Sequence, residues 1–399
     1  MSASTSLVNV PIGTAILLAL ASCSGSGGMS TGATPVVAPN AMVPAPMATA
    51  ALRTAADPST PEDNADDPVD GTSILKRLNH ITTIGSTVDP SNGDQNPYGL
   101  AVASVDAGAI EPGDLVVCNF NNAANVQGTG TTIVALHPKP GSTPRRVAQK
   151  SALLGCTEVA LAPNGNIWAS AFAANDNPIV APDGTLRTTL PGGPWHGPFG
   201  QTFAPHPGSF GSAAFYESNA GDGTIVRIGI GANSHFTFEV IASGFAVNHG
   251  APGSILGPSG LQYDRRHDRL YIVDGADNTL VALRGVSTIP AGGVVVHGTS
   301  FSGPFAKRAR LIFSGTPLNG PISSALLPDG HLVLGNTLDS SGFNLMVEIA
   351  PNGRLLDVKN VDTGAAGALF GMAATGHDNA DTALYFNDDN DNTVKELTP

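Results

Sequence analysis

Two stretches near the end of the chain, LYIVDGADNTLVAL at 270–283 and LYFNDDNDNTVKEL at 384–397, follow one pattern. In each, an apolar run ends in Asp, a short stretch rich in Asp, Asn or Gly follows, and a second apolar run begins. Asp, Asn and Gly tolerate positive φ and bond to their own backbone, so such stretches connect the strands of a hairpin. Each stretch therefore predicts an antiparallel hairpin, and its recurrence predicts a repeat.

The same order of segments recurs with a period of roughly 45–60 residues, which is typical of propeller blades. In the clearest unit, a Gly/Pro turn, a short strand at Leu261–Tyr263 and a charged turn precede the hairpin. The units lie at 96–136, 155–186, 197–228, 257–283, 319–349 and 368–397. A fourth apolar segment that ends in Gly follows several of them, at 186–192, 238–244 and 309–315. We therefore expect an all-β, six-bladed β-propeller of four-stranded antiparallel blades.

The last unit ends with its third strand, immediately before Pro399. The apolar stretch HITTIGSTV, at 80–88, is a candidate for the missing fourth strand. A ring closed by this N-terminal strand would leave no exposed sheet edge at the junction.

The stretch PSGLQYDRRHDRLYIVDGADNTLVAL, at 258–283, resembles an NHL-type repeat. Such repeats occur in the broader group of six-bladed propellers that includes the SMP-30/gluconolactonase and TolB-like proteins. The resemblance covers about 74–399 of this sequence. It implies a site at one mouth of the central channel, and the SMP-30 lactonase mechanism implies a divalent metal held by several inward oxygens.

The N-terminus has the features of an export signal. Ile12–Ala21 is an apolar run too short to span a bilayer, which needs roughly 20 residues, but of the size of a signal-peptide core. The sequence Leu20-Ala21-Ser22-Cys23 resembles the lipobox of bacterial lipoproteins, in which the Cys is lipidated, although Met1–Val10 carries no Lys or Arg. We expect a signal peptide at 1–23, lipidation at Cys23, and a membrane-anchored protein of the periplasm or cell surface.

A change of composition marks the next segment, 24–73. It is rich in Ala, Pro and Thr and then becomes acidic over 57–70. Without an apolar period that could bury a face, it predicts a disordered tether, with the propeller occupying 74–399.

Charge excludes one class of partner. The chain has 19 Lys and Arg against 32 Asp and Glu, a net charge of −13, which would repel the phosphate backbone of a nucleic acid. A basic cluster, Lys307-Arg308-Ala309-Arg310, ends an insertion at Gly285–Arg308 between the third and fourth strands of the fourth blade. It is open to two interpretations, a solvated turn or a docking patch.

Two cysteines remain besides Cys23, namely Cys118 and Cys156. In an oxidising compartment a disulfide between them is plausible. Two buried free thiols are the alternative, because sequence alone does not place their Cβ atoms within bonding range.

Alignment of the innermost strands gives the residues expected at the channel mouth: Tyr98, Glu158, Gln201, Ser259, Ser323 and Met372. Glu158 is the one acidic residue among them. Ca²⁺ prefers six to eight oxygen ligands, so a single carboxylate there does not make a metal site. A carboxylate that caps a loop is the alternative role.

The ends of the second strands form another aligned set: Asn119, Ala171, Ser218, Asp274, Asn336 and Asp388. Asp and Asn at a strand end cap the following turn through local hydrogen bonds, and a ring of metal-binding oxygens is the alternative. The run 388–392 fills the early positions of an EF-hand loop, but Thr393 stands where that loop needs Gly.

No G-x-S-x-G, HExxH or CxxC motif occurs in the sequence. His196 and His249 lie in Gly/Pro loops before inner strands, where a His is either a general base or a partly exposed loop residue.

These observations predict a binding or scaffolding module in the cell envelope, with no cofactor. Its partner would be an envelope protein or a small ligand at one propeller face, and a lipid anchor would hold it to the membrane. The alternative is a metal-dependent hydrolase or lactonase, with Glu158, Asp274 and Asp388 binding Ca²⁺ or another divalent ion and His196 or His249 as base. A lyase-like propeller with a His base ranks third. Convergence of these oxygens at one mouth would favour an enzyme, and dispersal would favour a binder.

Overall fold

The computed structural model describes residues 71–205, 213–231, 235–338 and 343–399. Over these residues it is a six-bladed β-propeller with four antiparallel strands in each blade, which confirms the predicted fold class. Blade 1 comprises β2 (Gln95–Val102), β3 (Leu115–Asn121), β4 (Thr132–Leu136) and β5 (Arg145–Gln149). Blade 2 comprises β6 (Cys156–Leu161), β7 (Ile167–Ala171), β8 (Ile179–Val180) and β9 (Leu186–Thr188). Blade 3 comprises β10 (Pro198–Ala204), β11 (Ala213–Asn219), β12 (Thr224–Ile230) and β13 (Phe236–Ser243).

Blades 4 and 5 comprise β14 (Pro258–Asp264), β15 (Arg269–Asp274), β16 (Thr279–Arg284) and β19 (Ala309–Ser314); and β20 (Pro321–Leu326), β21 (Leu332–Asn336), β22 (Asn344–Ile349) and β23 (Leu355–Asp362). Blade 6 comprises β24 (Leu369–Thr375), β25 (Ala383–Asp388), β26 (Thr393–Thr398) and β1 (His80–Ser86). Short 3₁₀ turns lie at Ser151–Leu153, Val286–Thr288 and Ala306–Arg308. The described residues include no helix of the length and hydropathy that a bilayer crossing requires.

The middle strands of each blade are apolar on both faces because every blade is packed between two others. In β15, Leu270 and Ile272 lie in a core cluster shared with blade 3. Tyr271 and Val273, which alternate with them, lie in a cluster shared with blade 5. Successive side chains of a strand point to opposite faces, so a strand that is buried on both sides becomes a continuous apolar run.

Ring closure occurs in blade 6 as predicted. Strand β1 pairs antiparallel with β26, from His80 opposite Thr398 to Ser86 opposite Thr393. The N-terminal strand thus completes the sheet that the end of the chain begins, and β26 has a partner along both edges.

The insertion after β16 adds strands to the neighbouring blade, which the sequence did not predict. Strands β17 (Val294–His297) and β18 (Ser300–Ser302) extend blade 3 to six strands, and β17 pairs parallel with β13. Arg227 of blade 3 is fully buried, and its Nη1 donates to the carbonyls of Val286 (3.1 Å) and Ser287 (2.9 Å). The insertion therefore covers the outer edge of blade 3 and connects it to blade 4.

Cys118 and Cys156 form a disulfide between β3 of blade 1 and β6 of blade 2. Both residues are fully buried, and their Cα atoms are 5.9 Å apart. The pairing considered from the sequence is confirmed, because the two residues lie on facing sheets within bonding range.

The segment that precedes β1 is packed into the propeller. Ile74, Leu75 and Leu78 are fully buried in a core cluster with residues of blades 5 and 6. Glu348 of β22 accepts hydrogen bonds from the amides of Ile74 (3.1 Å) and Leu75 (2.8 Å) and from the hydroxyl of Ser73. Cys23, the signal peptide and the acidic part of the tether lie outside the described residues.

Candidate functional site

The innermost strands of the blades surround a central channel. All six run in the same direction, from the upper face, where they begin, to the lower face, where they end; the strands are β2, β6, β10, β14, β20 and β24. They approach one another closely because several carry glycine at the closest point. A Cβ atom at Gly200 or Gly371 would collide with the backbone of the adjacent blade, at Ser259 and Tyr98 respectively.

Aromatic side chains close the channel at its upper end. The Tyr98 ring stacks between those of Phe120 and Phe370, with centroid distances of 4.2 and 3.9 Å, and Phe199 lies tilted against it at 6.2 Å. We call these four residues the aromatic plug. Tyr98 is only 4% exposed, and burial raises the pKa of its hydroxyl. Its ring is therefore occupied by internal packing and presents no free surface for a stacked ligand.

A cavity of about 330 Å³ lies in the channel below the aromatic plug. Its polar lining includes Glu158, Gln201 and Gln262, and its apolar lining includes Phe203 and Met372. This volume lies at the lower end of the range for small-molecule pockets, which are apolar clefts with a few oriented polar groups. The cavity is therefore the candidate binding site of the propeller.

Glu158 supplies a carboxyl group to this cavity. Its Oε1 accepts hydrogen bonds from the amides of Leu100 (3.2 Å) and Val159 (3.0 Å). Burial raises the pKa of Glu158 to about 8, although both amides favour the charged form. The carboxyl group is therefore mostly protonated at neutral pH and can donate as well as accept hydrogen bonds.

Gln201 connects the cavity to a second buried carboxyl group. Its Nε2 donates to Asn177 Oδ1 and to Glu217 Oε2, both at 2.8 Å, and Asn177 Nδ2 donates to the same Glu217 oxygen at 2.7 Å. Burial raises the pKa of Glu217 well above its ordinary value. Within the described residues, Gln201 Oε1 has no hydrogen-bond partner. The site therefore offers an unused acceptor beside two carboxyl groups whose pKa values burial raises.

Asp274 and Asp388 lie at the upper face and are used by the turns that follow them. Asp274 accepts from the amides of Ala276 and Ala246, both at 2.9 Å, and burial raises its pKa to about 6. Asp388 Oδ2 lies 2.5 Å from Lys395 Nζ, and burial raises the pKa of this carboxyl. The predicted ligand set does not converge: across the described ranges, no metal-sized group of His, Cys, Asp and Glu contains either residue or Glu158.

The remaining Asx and Ser residues of the aligned sets mostly bond to backbone. Asn119 Nδ2 donates to Thr87 O at 3.0 Å, and Asn336 Nδ2 donates to Pro317 O at 2.8 Å. Ser218, Ser259 and Ser323 likewise donate to carbonyl oxygens of inner or adjacent strands. These contacts describe a capping and blade-joining role, and Ala171 offers no polar group.

The two histidines proposed as bases lie in upper-face loops. The His196 side chain is 62% exposed, and its Nε2 is 3.7 Å from Asp222 Oδ2. His249 is exposed and has a left-handed backbone conformation with φ of 53°. Neither residue lines the channel cavity, which the aromatic plug separates from the upper face.

Two clusters of polar side chains were not predicted from the sequence. One is Glu217 with Asn177, and the other is Asp329 with His331 and Glu348. Only Glu217 carried a signal, and a weak one: it directly follows the apolar start of β11. Asp329, His331 and Glu348 form the group whose spacing would fit a metal ion, but Glu348 already accepts from His331 Nδ1 at 2.8 Å and from the Ser73–Leu75 segment. We interpret this group as the anchor of the N-terminal segment.

No protein-family model matches the sequence, and no curated protein matches it. Solved structures share the propeller architecture at low identity. Virginiamycin B lyase from Staphylococcus aureus is 15% identical, with a TM-score of 0.46 over 80% of this chain and 99% of that one. A chain of the nidogen/laminin complex is 14% identical, with a TM-score of 0.49 over 73% and 96% of the two chains. A protein described only as a candidate gluconolactonase is 10% identical, with a TM-score of 0.48 over 80% and 91%. Such similarity carries no argument about function, and the fold assignment rests on the strands themselves.

Proposed function

We propose that this chain is an exported, lipid-anchored propeller that acts as a binding module, with a small polar ligand in the channel cavity. The observation that carries the proposal is the polar wall formed by Glu158 and Gln201 within a cavity of about 330 Å³. Dispersal of Asp274 and Asp388 to upper-face turns supports binding rather than metal-dependent chemistry.

The chemistry of the wall favours a neutral ligand that both donates and accepts hydrogen bonds, such as a polyol or sugar. Protonated Glu158 adds no charge at neutral pH, and Gln201 Oε1 provides an acceptor without a partner. A buried polar group without a partner costs free energy, so a ligand that pairs with it gains affinity.

Export is supported by two independent features. The N-terminal sequence that ends at Cys23 resembles a lipoprotein signal, and the disulfide between Cys118 and Cys156 is typical of an oxidising compartment. In this proposal the loops of one propeller face bind an envelope protein while the cavity holds the small ligand.

The test is a thermal-shift and calorimetric survey of neutral monosaccharides, polyols and amino acids with the full chain. We expect at least one to raise the melting temperature of the parent protein but not of Glu158→Leu, which removes the carboxyl group at similar volume. Glu111→Gln, at an exposed residue, is the matched control and should respond like the parent. Equal responses of the parent protein and Glu158→Leu would contradict a ligand in the channel.

A metal-dependent hydrolase or lactonase is the second candidate, because a carboxyl group with a pKa of about 8 suits general acid catalysis near neutral pH. Elemental analysis of the protein after dialysis against trace calcium and zinc tests it. About one tightly held ion per chain, lost in Glu158→Leu, would favour the hydrolase and require other ligands than Asp274 and Asp388.

A further inference from the structure

Four arginines gather in blade 4 of a chain whose net charge is −13. Arg269 begins β15 and Arg284 ends β16. Arg308 ends the 3₁₀ turn before β19, and Arg310 is the second residue of that strand. We call these four residues the arginine cluster. Arg310 is exposed and the other three are half-buried, so the cluster is open to solvent at the lower face.

The strand register places these side chains together. Arg269 is directly opposite Arg284, so both point to the same face of the sheet. Arg310 is opposite Ala282, two residues before Arg284, and therefore shares that face. The Arg308 guanidinium packs over Gly285, next to Arg284. Burial lowers the pKa of Arg284, and the positive charges of Arg269, Arg310 and Arg308 lower it further.

In the described ranges, no ion pair joins a carboxylate to these four guanidinium groups. The hydrogen bonds of the cluster go to neutral oxygens: Arg269 Nη1 donates to Tyr271 OH at 2.8 Å, Arg284 Nη2 to Lys307 O at 2.9 Å, and Arg310 Nη2 to Asn352 O at 3.4 Å. The buried Nε atoms of Arg269 and Arg284 have no hydrogen-bond partner among the described residues. Most of the donors of these guanidinium groups are therefore unused.

The carboxylates of the adjacent hairpin turn are engaged elsewhere. Asp264 accepts from the amide of Arg266 and contacts His267 Nδ1. Asp268 accepts from Ser287 Oγ and Tyr263 OH. Asp264 is opposite Arg269 in the strand register and shares its face, so one carboxylate stands beside four guanidinium groups and a net positive charge remains. Like charges directly opposite each other destabilise a sheet, and an external anion would offset that repulsion.

We propose that the arginine cluster is a binding site for a phosphate or sulfate group carried by a ligand. Guanidinium groups present paired N–H donors that fit tetrahedral oxyanions, and several of them around one anion exchange mutual repulsion for charge-assisted hydrogen bonds. The anion comes from a soluble phosphorylated or sulfated compound or from a lipid headgroup. The site is separate from the channel cavity and does not depend on the function proposed for it.

The experiment is calorimetric titration of the full chain with inorganic pyrophosphate at an ionic strength held constant with chloride. We expect saturable binding that weakens at least tenfold in the Arg269→Gln/Arg284→Gln variant. Arg187→Gln, at an exposed arginine of β9 in blade 2, removes one positive charge elsewhere and should bind like the parent.

Folding of the double variant is checked in chloride alone. Its midpoint of denaturation should equal or exceed that of the parent, because the substitutions remove like-charge repulsion. Absence of pyrophosphate binding by the parent, or equal affinity in the double variant, would overturn the proposal.

Sedimentation with vesicles of phosphatidylglycerol and of phosphatidylcholine shows whether the anion belongs to a lipid headgroup or to a soluble compound. Binding to phosphatidylglycerol vesicles but not to phosphatidylcholine vesicles, lost in the double variant, indicates a lipid headgroup. Binding of pyrophosphate without binding to either kind of vesicle indicates a soluble ligand.

Discussion

Replacing Glu158 with Gln should make the protein more stable at neutral pH and have little effect in acid. The carboxyl group has a pKa of about 8 in the folded protein and 4.5 as its ordinary value. Between these two values the folded state binds one proton that the unfolded state does not. Stability therefore falls as pH rises through this window, by about 1.4 kcal/mol for each pH unit.

The magnitude follows from that slope. From about pH 5 to about pH 7.5 the contribution of Glu158 to stability should fall by roughly 3 kcal/mol, because the carboxyl group must either remain protonated or ionise without a counter-charge. A Gln side chain keeps an oxygen that can accept from the amides of Leu100 and Val159 and does not titrate. The difference in unfolding free energy between Glu158→Gln and the parent should therefore grow by about the same amount over this range.

Chemical denaturation of both proteins at several pH values measures this difference directly. The unfolding free energy should fall with denaturant concentration at the same slope in both proteins, so that the difference between their midpoints reports the difference in stability. Glu111→Gln provides the control, since its side chain is exposed and should give a difference independent of pH. A constant difference for Glu158→Gln across the range would refute the reasoning.

Three other sets of substitutions test contacts that hold the blades and the N-terminal segment together. Cys118→Ala/Cys156→Ala should lower the unfolding free energy by about 4 kcal/mol, the chain-entropy value for a 38-residue separation, as measured by denaturation against the parent without and with reductant. Glu348→Ala should raise amide hydrogen exchange at the start of the 73–78 segment, whereas unchanged exchange would contradict its anchoring role. Lys395→Met should destabilise the protein by about 3–5 kcal/mol at neutral pH by leaving Asp388 buried without its counter-charge, and Asp388→Asn in the same chain should recover part of the loss.

Local turn chemistry made much of the fold predictable. The stretch 270–283 predicted the hairpin of β15 and β16 to within one residue at its two ends, because Asp, Asn and Gly after an apolar run favour a turn. Strands β17 and β18 were not predictable in the same way. Their pairing with blade 3 is parallel and joins distant segments, and the short run Val294–His297 carries no local signal of its partner.

The candidate site was predictable only in part. Alignment of the inner strands brought Glu158 and Gln201 to the channel, since equivalent positions of repeated blades face the same axis. It did not show that Tyr98 is covered, because Phe120 and Phe370 arrive from other strands. Glu217 was missed for a related reason. Its role depends on Gln201 of the same blade and on Asn177 of blade 2, and such side-chain contacts leave no periodic mark in the sequence.

The docked segment at Ser73–Leu78 decides where tension on the chain would be felt. A pull applied through the residues ahead of Gly71 would act first on three buried apolar side chains and on the hydrogen bonds to Glu348. Only after these contacts broke would the load reach the pairing of β1 with β26, which closes the ring. Tension on the N-terminal segment therefore acts on the contacts of Ser73–Leu78 before it acts on the pairing of β1 with β26.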